Sequence, residues 1–210
     1  MKYLLFDLDN TLYQGSWGFS EAINQRMNEF VANYLGVTIE EALVLRKENK
    51  RYGTTLEWLR KTKGLTDITS FFDAVHPKNI HKYLKRERNL TQMLSSLKLP
   101  MSILTNAPRD HALRVLDYLE ITHCFEHIFD IEYNNLKGKP HISSYTKALD
   151  VAHYTIENTL FIDDHPKYLY PFQEMGGHVL LVDEYDNEYK KHPFPHINNI
   201  FDLPLYLRSL

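Results

Sequence analysis

The chain has 210 residues, 43% of them hydrophobic and 24% charged, which suits one sizeable core, or one domain carrying a smaller inserted one, and excludes a disordered chain. Lys and Arg number 24 against 27 Asp and Glu, so the net charge of -3 gives no general pull toward nucleic acid, and the basic run Lys82 to Arg88 reads as a solvated helix face. Cys124 is the only cysteine, which excludes an intrachain disulfide; no apolar run approaches membrane-spanning length, and the expected location is the cytoplasm.

In chain order, Tyr3 to Phe6 is a short apolar run that reads as a buried strand ending at Asp7. Helical spacing follows at Ser20 to Tyr34, with Gly36 placed to end that helix, and at Thr38 to Asn49, where Thr38 and Glu41 form a capping-box pattern. No comparable strand occurs until Met101 to Leu104, so the stretch between the two reads as a helical insertion. A strand, turn and helix rhythm then sets in. Helices are expected over Pro108 to Leu119, with Ala112, Leu116 and Leu119 on one face, and over Ser143 to Ala152. Strands are expected within Phe125 to Ile131, at Thr159 to Ile162 and at His178 to Val182. His192 to Pro195 resists regular structure because proline lacks an N–H and restrains its predecessor, so it forms a loop before a short terminal strand and helix. The fold class expected is α/β: a Rossmann-like doubly wound parallel sheet with an inserted helical cap.

Three of the apolar runs end in polar residues: Asp7 after Phe6, Thr105 after Leu104, and Asp163 with Asp164 after Ile162. The carboxyl ends of parallel strands form the edge where ligands bind, so residues far apart in sequence converge on one crevice. FDLDNTLY at Phe6 to Tyr13, Thr105 with Asn106, Lys139 with Pro140, and Asp163 with Asp164 stand in the order and approximate spacing of four motifs. Together they resemble the haloacid dehalogenase (HAD) superfamily, over nearly the whole chain. DNTLY at Asp9 to Tyr13, Arg51-Tyr52-Gly53, and Tyr83 to Leu94 are similar to its pyrimidine 5'-nucleotidase-like branch. Tyr168 departs from the pattern, standing where members often carry an asparagine.

The resemblance implies a core domain at 1–13 and 91–210 and a helical cap at 14–90. It implies a magnesium ion held by Asp7, by the backbone carbonyl of Asp9, and by Asp163 and Asp164, either of which is a candidate for the direct ligand. The residue types suit that chemistry. A phosphate monoester is a dianion, so an attacking carboxylate needs cations beside it, and a magnesium ion with Lys139 would supply them. Asp7, the first carboxylate beyond the strand, is the candidate nucleophile and would form an aspartyl-phosphate. Asp9 is the candidate acid and base for the leaving alkoxide and the attacking water. Thr105 and Asn106 offer a hydroxyl, an amide and backbone N–H groups to the phosphate oxygens, Asn106 being also an ordinary helix cap. Lys139, between Gly138 and Pro140, is the better match to the motif than Lys137.

These motifs recognise phosphate and metal but not the group that leaves, and the partner expected is a small-molecule phosphate ester. On the branch resemblance the first choice is a pyrimidine nucleoside 5'-monophosphate, with Tyr52, beside Gly53, as the ring that would face the substrate. Sugar- or glycolate-type phosphates come second, a phosphomutase is a further alternative, and a non-catalytic binding protein retaining the fold is the reading from another class. Carbon–halogen cleavage is disfavoured, since dehalogenases of this superfamily do not use the second acid that Asp9 supplies. His123 and His127 beside Cys124 precede a strand rather than share a helix face, so they read as solvated residues and not as a zinc site. Trp17 and Trp58 read as packing residues of the cap. No GxGxxG, P-loop or serine-hydrolase elbow is present.

Overall fold

Four apolar residues in a row, Tyr3–Phe6 (β1), bury both faces of a strand, and all four are sealed from solvent. The computed structural model describes residues 1–188 and 190–210, with the side chains of all of these except Asn49 and Lys50. Beside β1 lie Met101–Leu104 (β2), His127–Phe129 (β3), Thr159–Asp163 (β4), His178–Val182 (β5) and His196–Ile197 (β6), in the order β3-β2-β1-β4-β5-β6. Every pairing is parallel. From β1 the chain steps outward to β2 and β3, then crosses back to β4 and steps outward the other way. The reversal lies between β1 and β4, where Phe6 is registered with Ile162, and it opens a crevice at the carboxyl ends of both strands.

Alternation along the strands divides the core in two. Leu4, Phe6, Ile103, Leu160, Ile162 and Leu180 point to one face, under Ala112, Val115 and Leu116 of the helix Arg109–Tyr118 (α6 below). Tyr3, Leu5, Leu104, Phe161 and Leu181 point to the other, under two further helices that carry Tyr145, Ala148, Leu169 and Phe172. Helices on both faces of a parallel sheet make the expected Rossmann-like α/β architecture.

Between β1 and β2 the described elements are all helical: Phe19–Leu35 (α1), Ile39–Leu45 (α2), Thr55–Lys63 (α3), Ile68–Val75 (α4) and Arg88–Ser96 (α5), with short 3-10 turns among them. α1 ends on Gly36 in the left-handed conformation, φ 66°. Both halves of the capping box form at α2: Thr38 Oγ1 accepts from the Glu41 N–H and the Glu41 carboxylate accepts from the Thr38 N–H. The single helix expected over Thr38 to Asn49 stops at Leu45 and continues as a 3-10 turn at Arg46–Arg51. That run, RKENKR, has no apolar residue to hold an α-helical face against a neighbour.

The helical insertion has its own apolar cluster, built from Val31, Ala42, Leu56, Trp58, Leu59, Phe71 and Val75. Phe19, Ile80, Leu84 and Leu90, at the two ends of the insertion, pack instead with the sheet residues Phe6 and Ile103. The remaining helices are Arg109–Tyr118 (α6), Ile142–Ala152 (α7), Pro166–Glu174 (α8) and Leu203–Arg208 (α9). Among the described residues no helix is long and apolar enough to cross a membrane.

Candidate active site

β1 hands its register on to Asp7, whose N–H donates to Ile162 O at 2.8 Å, so the first carboxylate is fixed as the next rung of the β1–β4 ladder. Lys139 arrives from the loop between β3 and α7. Its Nζ donates to Asp7 Oδ1 at 2.7 Å and to Asp163 Oδ2 at 2.6 Å, and its side chain is 1% exposed. The ring of Phe161 lies 5.4 Å from the ammonium and that of Tyr168 5.0 Å. Burial works against the lysine's charge, but Asp163 and then Asp7 outweigh it and hold the group firmly protonated. Burial pushes the Asp7 carboxyl upward; Lys139 opposes that shift, while Asp163 and Asp9 add to it.

Asp163 is committed. Besides Lys139 on Oδ2, its Oδ1 accepts the His165 N–H at 2.8 Å. Among the described residues Asp164 has one hydrogen-bond partner, the Asn10 side-chain amide at 3.2 Å, and Asn10 is itself held by Ser20 Oγ at 2.6 Å. Burial, with Asp163 and Asp7 close by, lifts the Asp164 carboxyl well above the carboxylate range. Asp7, Asp163 and Asp164 each offer an oxygen within 4.8 Å of the others. Three acids crowd together with a single ammonium on two of them, and the donors are all oxygen, so the residues fit a hard divalent cation, which would also favour the ionised form of Asp164. Asp7 and Asp164 are the carboxylates with oxygens to spare for it.

Asp9 lines the same cavity as Asp7. Its Oδ1 accepts the Tyr13 hydroxyl at 2.7 Å and His111 Nε2 at 2.9 Å. Burial opposes its ionisation, but His111 and Tyr13 outweigh burial and bring the carboxyl below its usual range. His111 is 1% exposed, and its ring lies 4.8 Å from that of His76, which follows α4. Burial and the neighbouring His111 push His76 down to about 4.

Thr105 extends the β2–β3 ladder, its N–H on Phe129 O at 3.0 Å, and its hydroxyl accepts the Ala107 N–H at 3.1 Å. Pro108, not Asn106, caps α6. The Asn106 amide donates to the backbone carbonyl of Lys139 at 2.9 Å. Gly138 permits this closeness: an added Cβ there would collide with the Asn106 side-chain oxygen and meet Ile131 Cδ1 at 2.7 Å. Tyr168 covers the lysine from α8, and burial pushes its hydroxyl up to about 12.

One cavity of about 250 Å³ is lined by Asp7, Asp9, Thr105, Asn106, Lys139 and Asp164, which brings six of the expected residues to one place. Asp163 completes the cluster from beneath, through Lys139. A neighbouring cavity of about 730 Å³ shares Asn106, His76 and Tyr168 with it and reaches Arg46, Thr54 and Lys167. Tyr52 lies apart. Its ring packs, half-buried, against the insertion's apolar cluster with Lys61 Nζ 5.9 Å above it, and among the described residues it lines neither cavity. The adjoining Gly53 does face the core: its N–H donates to the buried Glu57 carboxylate at 3.0 Å and its carbonyl accepts Lys167 Nζ at 3.2 Å. Glu57 also accepts His141 Nε2 at 2.8 Å, tying α3 to the start of α7.

His76, Glu57 and His111 are site residues that the motifs do not reveal, while Asn10 stands within FDLDNTLY without an expected role. Of the three outside the motifs only His111 carries a signal, since it falls four residues before Val115 on the apolar stripe of α6, where a polar side chain needs a buried partner.

The model of the family described as "Hydrolase: haloacid dehalogenase-like hydrolase" matches residues 1–167. Phosphate metabolism protein 8 of Saccharomyces cerevisiae is 27% identical over 235 aligned residues, spanning 98% of this chain and 72% of that protein. Glyceraldehyde 3-phosphate phosphatase of Methanocaldococcus jannaschii is 22% identical over 228, spanning 100% and 99%. The crystal structure of a predicted phosphatase from Clostridium acetobutylicum has a TM-score of 0.68 at 19% identity, over 100% of this chain and 99% of that one, a likeness of fold.

Proposed function

This chain belongs to the haloacid dehalogenase-like hydrolase family, and from that premise we propose that it hydrolyses small phosphate monoesters through an aspartyl-phosphate on Asp7. The observation that carries the reading is the meeting of Asp7, Asp9 and Lys139 in one buried cluster, from positions that only the folded sheet brings together.

Asp7 attacks phosphorus and the bond from phosphorus to the ester oxygen breaks. The phosphate dianion entering the cavity raises the proton affinity of the Asp9 carboxylate, which His111 and Tyr13 otherwise hold ionised; the protonated Asp9 gives its proton to that oxygen, then takes one from the water that cleaves the aspartyl-phosphate. Lys139 favours the ionised form of Asp7 against burial and faces the charge on the transferring group. Thr105 lines the same cavity and offers its hydroxyl to a phosphate oxygen. Asn106 acts by fixing the lysine's backbone. A magnesium ion, held by Asp7, Asp164 and the Asp9 carbonyl, would neutralise phosphate charge. Asp163 supports Lys139 rather than the ion, since both of its oxygens are engaged.

For the leaving group, the branch resemblance favours a pyrimidine nucleoside 5'-monophosphate, and the cavity of about 730 Å³ has room for one. A second reading is a small sugar- or glycolate-type phosphate. It is favoured by the packing of Tyr52 in the insertion, which removes the ring expected to stack on a base, and by the name of the archaeal relative. The helical insertion acts as a cap over the crevice in either case, with 1–13 and 91–210 as the core.

Phosphate release from a panel of nucleotides, sugar phosphates and p-nitrophenyl phosphate, with magnesium and with excess chelator, tests the proposal. Metal-dependent release that vanishes in Asp7→Asn is expected. Full activity in chelator, or near-normal turnover by the variant, overturns it, and the best ester in the panel decides between the two leaving groups.

A further inference from the structure

Asp9 accepts two hydrogen bonds among the described residues, and both fall on the same oxygen. Tyr13 reaches Oδ1 from just before the helical insertion, at 2.7 Å, and His111 Nε2 reaches it from the first turn of α6, at 2.9 Å. Neither donor is free to swing. The His111 ring is wedged between Phe19, at 5.5 Å and 28°, and His76, at 4.8 Å and 54°. The Tyr13 ring lies against Trp17 at 6.1 Å and Phe19 at 6.0 Å. Asp9 still lines the cavity shared with Asp7, Thr105 and Lys139. A carboxylate pinned through one oxygen presents the other.

We propose that His111 is a positioning residue for Asp9, which together with Tyr13 anchors Oδ1 and leaves Oδ2 as the oxygen that exchanges protons with the leaving group and the attacking water. The inference rests on the phosphatase reading above, in which Asp9 is the acid and base. It adds an assignment of the two oxygens and a residue of α6 outside the four motifs. Packing alone would be served by any flat side chain at position 111. Anchoring needs a donor at the place of Nε2.

The two roles separate by leaving group. An alkoxide leaves only with a proton, so a misplaced general acid costs roughly 100-fold to 10,000-fold at the limit. A p-nitrophenolate leaves without one. The value of kcat/KM reports steps up to departure of the leaving group, so it isolates this effect from the later hydrolysis of the aspartyl-phosphate.

The experiment measures kcat/KM for n-propyl phosphate and p-nitrophenyl phosphate in wild type, His111→Phe, His111→Gln, Tyr13→Phe and Asp9→Asn. His111→Phe is expected to lose about 100-fold on the alkyl ester and less than about threefold on the aryl ester. His111→Gln, whose amide nitrogen takes the place of Nε2, recovers most of the loss. Tyr13→Phe, which removes the other bond to Oδ1, shows the same selectivity and carries the test if His111→Phe does not fold. Equal losses on both esters in His111→Phe or Tyr13→Phe, or no rescue by glutamine, overturn the inference while selective loss in Asp9→Asn leaves the phosphatase reading standing. Absence of leaving-group selectivity in Asp9→Asn, or a wild type inactive on both esters, overturns that reading and the inference with it.

Discussion

The side-chain amide of Asn106 donates to the backbone carbonyl of Lys139 at 2.9 Å, so the loop after β2 holds the peptide that carries the buried ammonium. The bond exists because Gly138 has no side chain: a Cβ there would occupy the space of the Asn106 side-chain oxygen. Gly138→Ala is therefore expected to lower kcat by at least about tenfold through displacement of Lys139. In an Asn106→Ala background the same change should cost less, since part of the collision is gone; the contact with Ile131 remains. Additive losses in this double-mutant cycle would show that the two residues act independently.

Lys139→Met should be costly to the fold as well as to turnover. It leaves Asp7 and Asp163 facing one another in a buried site without their shared cation. Removing one partner of a buried ion pair costs about 3 to 5 kcal/mol, which for a chain of this size lowers the melting temperature by about 10 °C. Thermal unfolding at neutral pH checks this. A melting temperature within about 2 °C of wild type would contradict the ion-pair account.

The two neighbouring acids should fail differently. Asp164→Ala removes a carboxylate whose only described partner is Asn10, so the fold is kept and the magnesium concentration for half-maximal activity rises at least about tenfold. Asp163→Ala removes an acceptor from Lys139 and from the His165 N–H, so its main effect is a lower melting temperature. Melting curves with and without magnesium separate the two. The metal should stabilise wild type and Asp163→Ala and do little for Asp164→Ala. The reverse pattern would make Asp163 the ligand.

Acid should loosen the contact between α3 and α7. Burial opposes the charge on Glu57, but hydrogen bonds from His141, Lys61 and the Gly53 N–H outweigh it and pull its carboxyl down to about 2. A carboxylate with a depressed pKa in the folded state contributes stability that is fully present above its unfolded value and is lost as pH falls toward the folded one. The window thus runs from about 4.5 down to about 2. Wild type should be more stable than Glu57→Gln at pH 7, and the difference should shrink below about 4.5. A difference that is constant over this range would remove Glu57 as the source.

The strands were legible because burial on both faces writes them as mostly apolar runs: Tyr3–Phe6, Met101–Leu104 and His178–Val182 match their expected limits, although Ser102 and the exposed His178 are polar. The nearness of Asp7 and Asp163 follows from strand order, since polar residues at the ends of adjacent parallel strands must share an edge, whereas Lys139, in the loop before α7, was legible only from its motif. Asn106 was legible as a residue of the site but not in its bond to Lys139, which depends on a close backbone approach at Gly138. Glu57, between Leu56 and Trp58, reads like any charged helix residue until the insertion packs on the core. Tyr52 shows the opposite difficulty, because a ring beside a glycine suits a ligand or a core equally, and the insertion's own apolar cluster takes it.

The central position of β1 has a consequence for how the chain comes into being. Tyr3 is registered with Thr159 on one side, and Leu4 with Met101 on the other. During synthesis the strand that ends in Asp7 is made before its neighbours, and the last of them, β4, follows only after the helical insertion and the helices α5, α6 and α7. Until then β1 offers an open hydrogen-bonding edge, the kind of surface that recruits strands from other chains. Translation speed and chaperone supply should therefore bear on the yield of this protein alongside the stability of its finished form.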